Sequence, residues 1–268
     1  MSFTLVTALY EISRDKYDGR KFTSYQTWFE NTLKIPAPMV IFTEEKNRHI
    51  VEKIRKDIPT KCFYTKLNEV PFYHTTPVVE HIITNTSFKN KIKHPNSLEN
   101  KCFEYIPIIH SKFVWMKQAC SENYFKTKMI FWIDAGISRF MDFDVSKPQF
   151  NNELLTELHA TNKILMQIGK KHDLIDVINN NNVESYIGSN TNFIMAGFWG
   201  GNIEIINDIS NEGASLYETE FLQKNRVDNE QTLFGYIIPK YKDNILFIHN
   251  HPSKECLIYY LFTNQMNV

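Results

Sequence analysis

Paired cysteines are missing from this chain. The four it has, Cys62, Cys102, Cys120 and Cys256, are scattered along 268 residues and share no disulfide or metal-ligand spacing. That argues against a structural zinc and points to reduced thiols in a cytoplasmic protein. An excess of charge is missing as well, since 30 basic side chains face 30 acidic ones. Composition therefore gives no footprint for nucleic acid. No apolar run is long enough to span a membrane. Residues Met1 to Thr7 lack a basic segment followed by an apolar one, so no signal peptide is expected. Neither a repeat nor a linker interrupts the chain. Its length suits a single domain over residues 1–268, ample for a substantial core. Glycine is scarce, nine in all, which gives weight to the places where it gathers.

Hydrophobic patterning orders the chain as alternating strands and helices. Phe3 to Leu9 reads as a first strand, and Tyr10 to Lys21 as a polar loop. Phe22 to Leu33 has helical spacing, with Thr23 or Ser24 as its cap. Met39 to Thr43 and Cys62 to Thr65 read as strands around a charged helix at Glu44 to Asp57. This β-α-β-α-β order predicts a parallel sheet with helices on its faces. Further helices are expected at Val78 to Ile83, Ile108 to Glu122 and, beyond Pro148, Asn152 to Ala160. Lys163 to Ile168 reads as a strand, residues 171–190 as a mobile polar connection. Thr191 to Trp199 is an apolar segment closed by Gly200-Gly201. Ile203 to Leu222 is mostly helical with a break near Gly213, and Gln231 to Ile238 continues a helix from Asp228. Asn244 to His249 is a last strand.

The strongest chemical signal is Met129-Ile130-Phe131-Trp132-Ile133-Asp134-Ala135-Gly136. Five apolar residues form a buried strand, and an acid stands at its carboxyl end, where open α/β sheets bind ligands. A carboxylate there suits a hard cation bridging phosphate oxygens. Read alone, the same acid caps the next turn. Asp142-Phe143-Asp144 is a literal Asp-x-Asp, but it lies off the end of that strand, so Asp134 is the better placed. Thr7, Ala8 and Leu9 end the first strand with Arg14 in the loop beyond, the usual nucleotide end of such a sheet. Lys112 reads either as a phosphate contact or as a solvated lysine.

Three of the nine glycines stand in Gly197-Phe198-Trp199-Gly200-Gly201. Paired glycines beside Trp199 suit a sugar lying on backbone and an aromatic face, or a tight turn. Asp228, Asn229, Glu230 and Gln231 form an acidic helix start. They either cap the helix or place Glu230 or Asp228 in a pocket as a catalytic or acceptor-binding carboxylate. His249 and His251 share a strand face. They complete a metal shell, donate to phosphate, or sit half-buried against backbone.

Taken in order, these features resemble a GT-A glycosyltransferase. That likeness implies a GT-A-like, Rossmann-type mixed and mostly parallel sheet flanked by helices. It implies a nucleotide-sugar donor, a UDP-sugar first, bound through Mn²⁺ or Mg²⁺. Asp134 matches the first acid of the Asp-x-Asp, and His249 the late metal-binding histidine. Trp199, Gly200, Gly201 and Gln231 would shape the sugar and acceptor side. Glu230, then Asp228, would lie nearest the reacting carbon. Thr7, Ala8, Leu9, Arg14, Lys112, Ala135 and Gly136 would line the donor pocket with Asp134. More narrowly, Thr4 to Tyr10, Pro38 to Thr43, Ser111 to Trp115 and Trp132 to Phe140 resemble the HtrL/YibB (WlaTC-related) family. That family is associated with bacterial surface-polysaccharide gene regions. The expectation is a metal-assisted glycosyltransferase acting on a hydroxyl of a glycan or glycoconjugate. The competing readings are a non-catalytic nucleotide-sugar or glycan-binding protein of the same fold, and a metal hydrolase using His249 and His251.

Overall fold

The computed structural model describes residues 3–147, 149–248 and 261. Among the described residues, seven strands form one sheet: β1 (Phe3–Leu9), β2 (Met39–Thr43), β3 (Thr60–Tyr64), β4 (Met129–Ile133), β5 (Ile164–Ile168), β6 (Ile194–Asn202) and β7 (Ile245–Ile248). Their order is β3-β2-β1-β4-β6-β5-β7. All pairings are parallel except those of β6, which runs against both β4 and β5. The result is the α/β class that the strand-helix alternation predicts, one mixed and mostly parallel sheet with helices on both faces.

The helices are α1 (Asp15–Asp18), α2 (Phe22–Leu33), α3 (Arg48–Arg55), α4 (Thr76–Thr84), α5 (Thr86–Lys89), α6 (Tyr105–Glu122), α7 (Asn152–Ala160), α8 (Lys171–Asn180), α9 (Ile203–Leu216) and α10 (Glu230–Tyr241). They cover both faces, which is why β2, β4 and β5 are buried at every position. Alternation along each strand sorts the core in two. Leu5, Ile41, Phe131 and Ile133 pack with Phe29 and Leu33 of α2. Val6, Phe42, Ile130 and Trp132 pack with Phe113, Trp115 and Met116 of α6 and with α4, α9 and α10. A buried guanidinium closes the first crossover. Arg55 donates to the carbonyls of Leu33, Ile35, Ala37 and Pro59 at 2.7–3.1 Å. It thereby ties the end of α2, the 35–37 turn and the approach to β3 together through one side chain.

Four expectations are corrected. Helix α2 starts after Lys21 with no side-chain cap, so neither Thr23 nor Ser24 serves. Residues 171–190 are no structureless connection: they hold α8, whose Leu174 and Val177 are buried in the core. The charged Lys171, His172 and Asp173 at its start hide its amphipathic spacing. Gly200 and Gly201 continue β6 rather than turn out of it. A Cβ would meet the Ile130 carbonyl at 2.3 Å from position 200 and the Lys163 carbonyl at 2.5 Å from position 201. Finally, Gly213 does not break α9. It gives α6 room to approach, because a Cβ there would lie 2.4 Å from the Phe113 ring.

That contact sets a test. Alanine is intrinsically better in a helix by about 1 kcal/mol, whereas overpacking costs about 1–3 kcal/mol. Gly213→Ala is therefore expected to lower the urea midpoint, and a raised midpoint would contradict the close α6–α9 packing.

Candidate functional site

A cleft of about 290 Å³ opens at the carboxyl ends of β1 and β4. Parallel strands place their loops there: residues 10–21 after β1 and residues 134–140 after β4. The third wall comes from β6, through an irregularity. Met166 pairs with Trp199 but Ile168 pairs with Ile194, so one residue of β5 stands against four of β6. Those four, Met195, Ala196, Gly197 and Phe198, all line the cleft. The Asp134 amide donates to the Gly197 carbonyl at 2.8 Å, which fixes β4's end against this wall.

Asp134 leaves β4 with its side chain 46% exposed. Trp132, two residues earlier on the same strand face, donates its indole N–H to Asp134 Oδ1 at 2.7 Å. The turn behind is held by Thr32, whose hydroxyl donates to the Ala135 carbonyl, and by Ser138, which donates to the Trp28 carbonyl. Two rings of α2 lie against Gly136, at 3.4 Å for Trp28 and 3.5 Å for Tyr25 from an added Cβ, which is ordinary contact. On the far side, a Cβ at Gly197 would come 3.2 Å from Asp134 Oδ2.

Below Asp134 lies a buried ammonium. Lys112, on α6, donates to Glu230 Oε1 at 2.6 Å and to the Ala196 carbonyl at 3.3 Å, and stands 3.7 Å from Asp134 Oδ1. Its Nζ also lies 5.2 Å from the Trp132 ring centre. Burial opposes the charge on Lys112, but Glu230 and Asp134 outweigh it and hold the ammonium above its ordinary range. Burial pushes the Glu230 carboxyl up, and Lys112 pulls it only part of the way back. Glu230 is thus a dry carboxyl facing the cleft, held in place by one lysine.

The expected site residues divide. Ala8, Leu9, Arg14, Lys112, Asp134, Ala135, Gly136, Glu230 and Gln231 all line this cleft. Lys112 is no solvated lysine, and with its ammonium engaged by Glu230, Ala196 and Asp134 it positions carboxylates rather than meeting a phosphate. Thr7 is fully buried one residue short of the cleft. Trp199 is buried against Phe113 and Phe234, on the α6 side of the sheet. Gly200 and Gly201 are interior sheet positions. None of these three offers a face to a sugar. Asp228 lies under the 187–190 turn and accepts from the Gly188 and Asn229 amides at 2.7 and 2.8 Å. Asn229, not Asp228, caps α10 through the Thr232 amide. Asp144 accepts from the Ser146 amide and hydroxyl, a local turn. His249 and His251 lie outside the described residues.

Pattern reading missed Trp132, Tyr25, Tyr105, Arg20, Arg139 and Gln167, which also line the cleft. Trp132 had a signal, because a strand residue two before Asp134 shares its face. Tyr25 and Tyr105 had none, being ordinary helix aromatics until the fold brings them here.

A divalent cation is compatible with Asp134 in one form. The carboxylate is a hard donor, it is half-exposed, and its Oδ2 accepts no hydrogen bond among the described residues. Mg²⁺ and Mn²⁺ accept such a single carboxylate when substrate phosphates and water complete the shell. A cage built by protein alone is not present: among the described residues no group of three or more His, Cys, Asp or Glu could hold a metal.

Two expectations follow. Lys112→Met strands two carboxylates beside the lost charge and should cost about 3–5 kcal/mol in urea denaturation. Adding Glu230→Leu should restore most of it, and a single-variant loss below about 1 kcal/mol would mean the pair is open to water. For Asp228, burial pushes the carboxyl up to about 7. The folded state then holds a proton that the unfolded state releases near its ordinary, lower value. Stability contributed by this group is present at acid pH and is lost as pH rises toward 7. Melting temperatures of wild type and Asp228→Asn should therefore shift in the variant's favour between pH 5 and pH 7.5, and an unchanged difference would refute the raised value.

A model described as "Bacterial protein of unknown function (HtrL_YibB)" matches residues 1–252. Protein HtrL of Escherichia coli (strain K12) is 26% identical over 147 residues, covering 50% of this chain and 51% of that protein. The chain thus spans about half the length of the curated relative it matches. Similar solved structures include apo mouse xyloside xylosyltransferase 1, at a TM-score of 0.45 and 10% identity, covering 92% of this chain and 85% of that one. Another is 4-diphosphocytidyl-2C-methyl-D-erythritol synthase from Anaerococcus prevotii DSM 20548, at 0.42 and 10%, covering 94% and 88%. At those scores neither bears on function.

Proposed function

The chain belongs to the HtrL_YibB family, and we propose that it transfers a sugar from a nucleotide-sugar donor, a UDP-sugar first, to a hydroxyl of a glycan or glycoconjugate. One observation carries this reading. A half-exposed carboxylate, Asp134, and a buried one, Glu230, face one cleft at the nucleotide end of the sheet, and both stand against one buried ammonium.

In this reading the nucleotide lies along Ala8 and Leu9 at the end of β1, and the sugar lies over Asp134. A divalent cation held by Asp134 would neutralise charge building on the departing diphosphate. Glu230 turns its carboxylate toward the reacting carbon. Its negative charge steadies the positive charge that grows there as the bond to the diphosphate breaks, an effect enlarged by the dry surroundings. Lys112 keeps Glu230 oriented and offsets part of the effect of burial on its carboxyl. Trp132, Phe198 and Tyr25 give the same space apolar walls. Gln231 lies beside Glu230 at the start of α10, placed for a sugar hydroxyl.

Donor hydrolysis and transfer by the purified protein, measured over a panel of nucleotide sugars, test the reading. Glu230→Gln should lose about 10²–10³-fold in turnover while still binding UDP. Full turnover by Asp134→Ala at saturating donor would remove Asp134 from the site. A wild-type protein that binds a nucleotide sugar but neither hydrolyses nor transfers it would be a binding protein instead.

A further inference from the structure

The turn that carries Asp134 also carries a cation. Arg139 follows five residues later, at the end of a 3-10 turn over Ile137–Phe140, and lines the same cleft. No carboxylate among the described residues pairs with it. Its guanidinium carbon instead lies 4.5 Å from the Phe140 ring centre and 5.5 Å from that of Trp28. Trp28 meets Tyr25 edge-on at 5.1 Å. On the other side of Tyr25, at 5.5 Å, lies Arg14, whose opposite neighbour is Tyr105 at 5.3 Å. Read in order, Tyr105, Arg14, Tyr25, Trp28, Arg139 and Phe140 form one ladder of rings and guanidinium groups. It crosses from the loop after β1 to the turn after β4.

A guanidinium resting on ring faces keeps its in-plane N–H groups for a partner. Arg14 spends only its Nε, on Asp18 at 2.6 Å, and its two terminal nitrogens donate to nothing among the described residues. Arg20, exposed and 3.8 Å from Asp18, adds a third cation to the cleft wall. The rim is thus basic, whereas on the floor two carboxyl groups, Asp134 and Glu230, stand against the single ammonium of Lys112.

We propose that Arg14 and Arg139, held by this aromatic ladder, are the seat of the donor's diphosphate, with Arg20 beside them. Planar forks bind phosphate oxygens in pairs, and ring contacts pre-orient them without cancelling their charge. The assignment rests on the nucleotide-sugar reading. It adds side chains that would hold the diphosphate directly, alongside a cation on Asp134.

Calorimetric titration of the full chain with UDP, inorganic pyrophosphate and uridine, each in EDTA and in Mn²⁺, tests it. Wild type should bind UDP and pyrophosphate. Arg139→Gln and Arg14→Gln should each weaken both by about tenfold or more and leave uridine unchanged. Arg139→Lys should fall between, since it keeps the charge but loses the fork. Variants that bind UDP and pyrophosphate like wild type would overturn the seat while leaving the nucleotide reading in place. So would a loss extending equally to uridine, which would mark the ladder as structural. Wild type that binds none of the three under either condition would overturn the nucleotide reading and the seat with it.

Discussion

Everything in the cleft is referred to one buried charge. Lys112 rises from α6 into the space between β4, β6 and the start of α10, and each contributes an acceptor: Asp134, the Ala196 carbonyl and Glu230. An ammonium in so dry a place is stable only because carboxylates surround it, and the ammonium in turn offsets part of what burial costs the Glu230 carboxylate. Each group makes the others affordable. The strand end, the reversed strand and the last long helix are thereby locked at one point, which is also where the chemistry is proposed to occur. A single side chain so fixes both the geometry and the electrostatics of the floor.

The order of strands and helices was readable because most of the parallel strands are dominated by apolar residues and the helices between them are amphipathic. Phe22 to Leu33 and Asn152 to Ala160 were placed to the residue. Where a reading failed, residue type served two purposes. Gly200 and Gly201 look like a turn, but both glycines make way for carbonyls of neighbouring strands. Gly213 looks like a break, but it makes way for Phe113. Asp134 and Glu230 could be picked from pattern, one at a strand end and one at a helix start. Their union through Lys112 could not, because a lysine at helical spacing looks the same whether it faces water or a carboxylate 118 residues away. Asp228 shows the reverse: an acid with the right neighbours in sequence is turned into a different turn by the fold.

The segment Trp132 to Phe140 concentrates several of these roles in nine residues. Trp132 orients Asp134, Ser138 ties the turn to α2, and Arg139 rests on Trp28 of α2. Its sequence is constrained on both sides, by the sheet below and by the aromatic layer above. That is why so short a stretch carried so much of the resemblance.

The irregular pairing of β6 has a further consequence. The cleft wall at Met195 to Phe198 exists because β6 spends more residues than β5 over the same length of sheet. Depth and width on that side are therefore set by how many residues the strand carries, not only by which ones. Substitutions there would retouch the lining. An inserted or deleted residue would move the whole wall against Asp134, and would do so without disturbing the anchored pairs at Trp199 to Asn202. Relatives with this sheet thus have a way to resize the cleft by length alone, leaving the charged floor as it is.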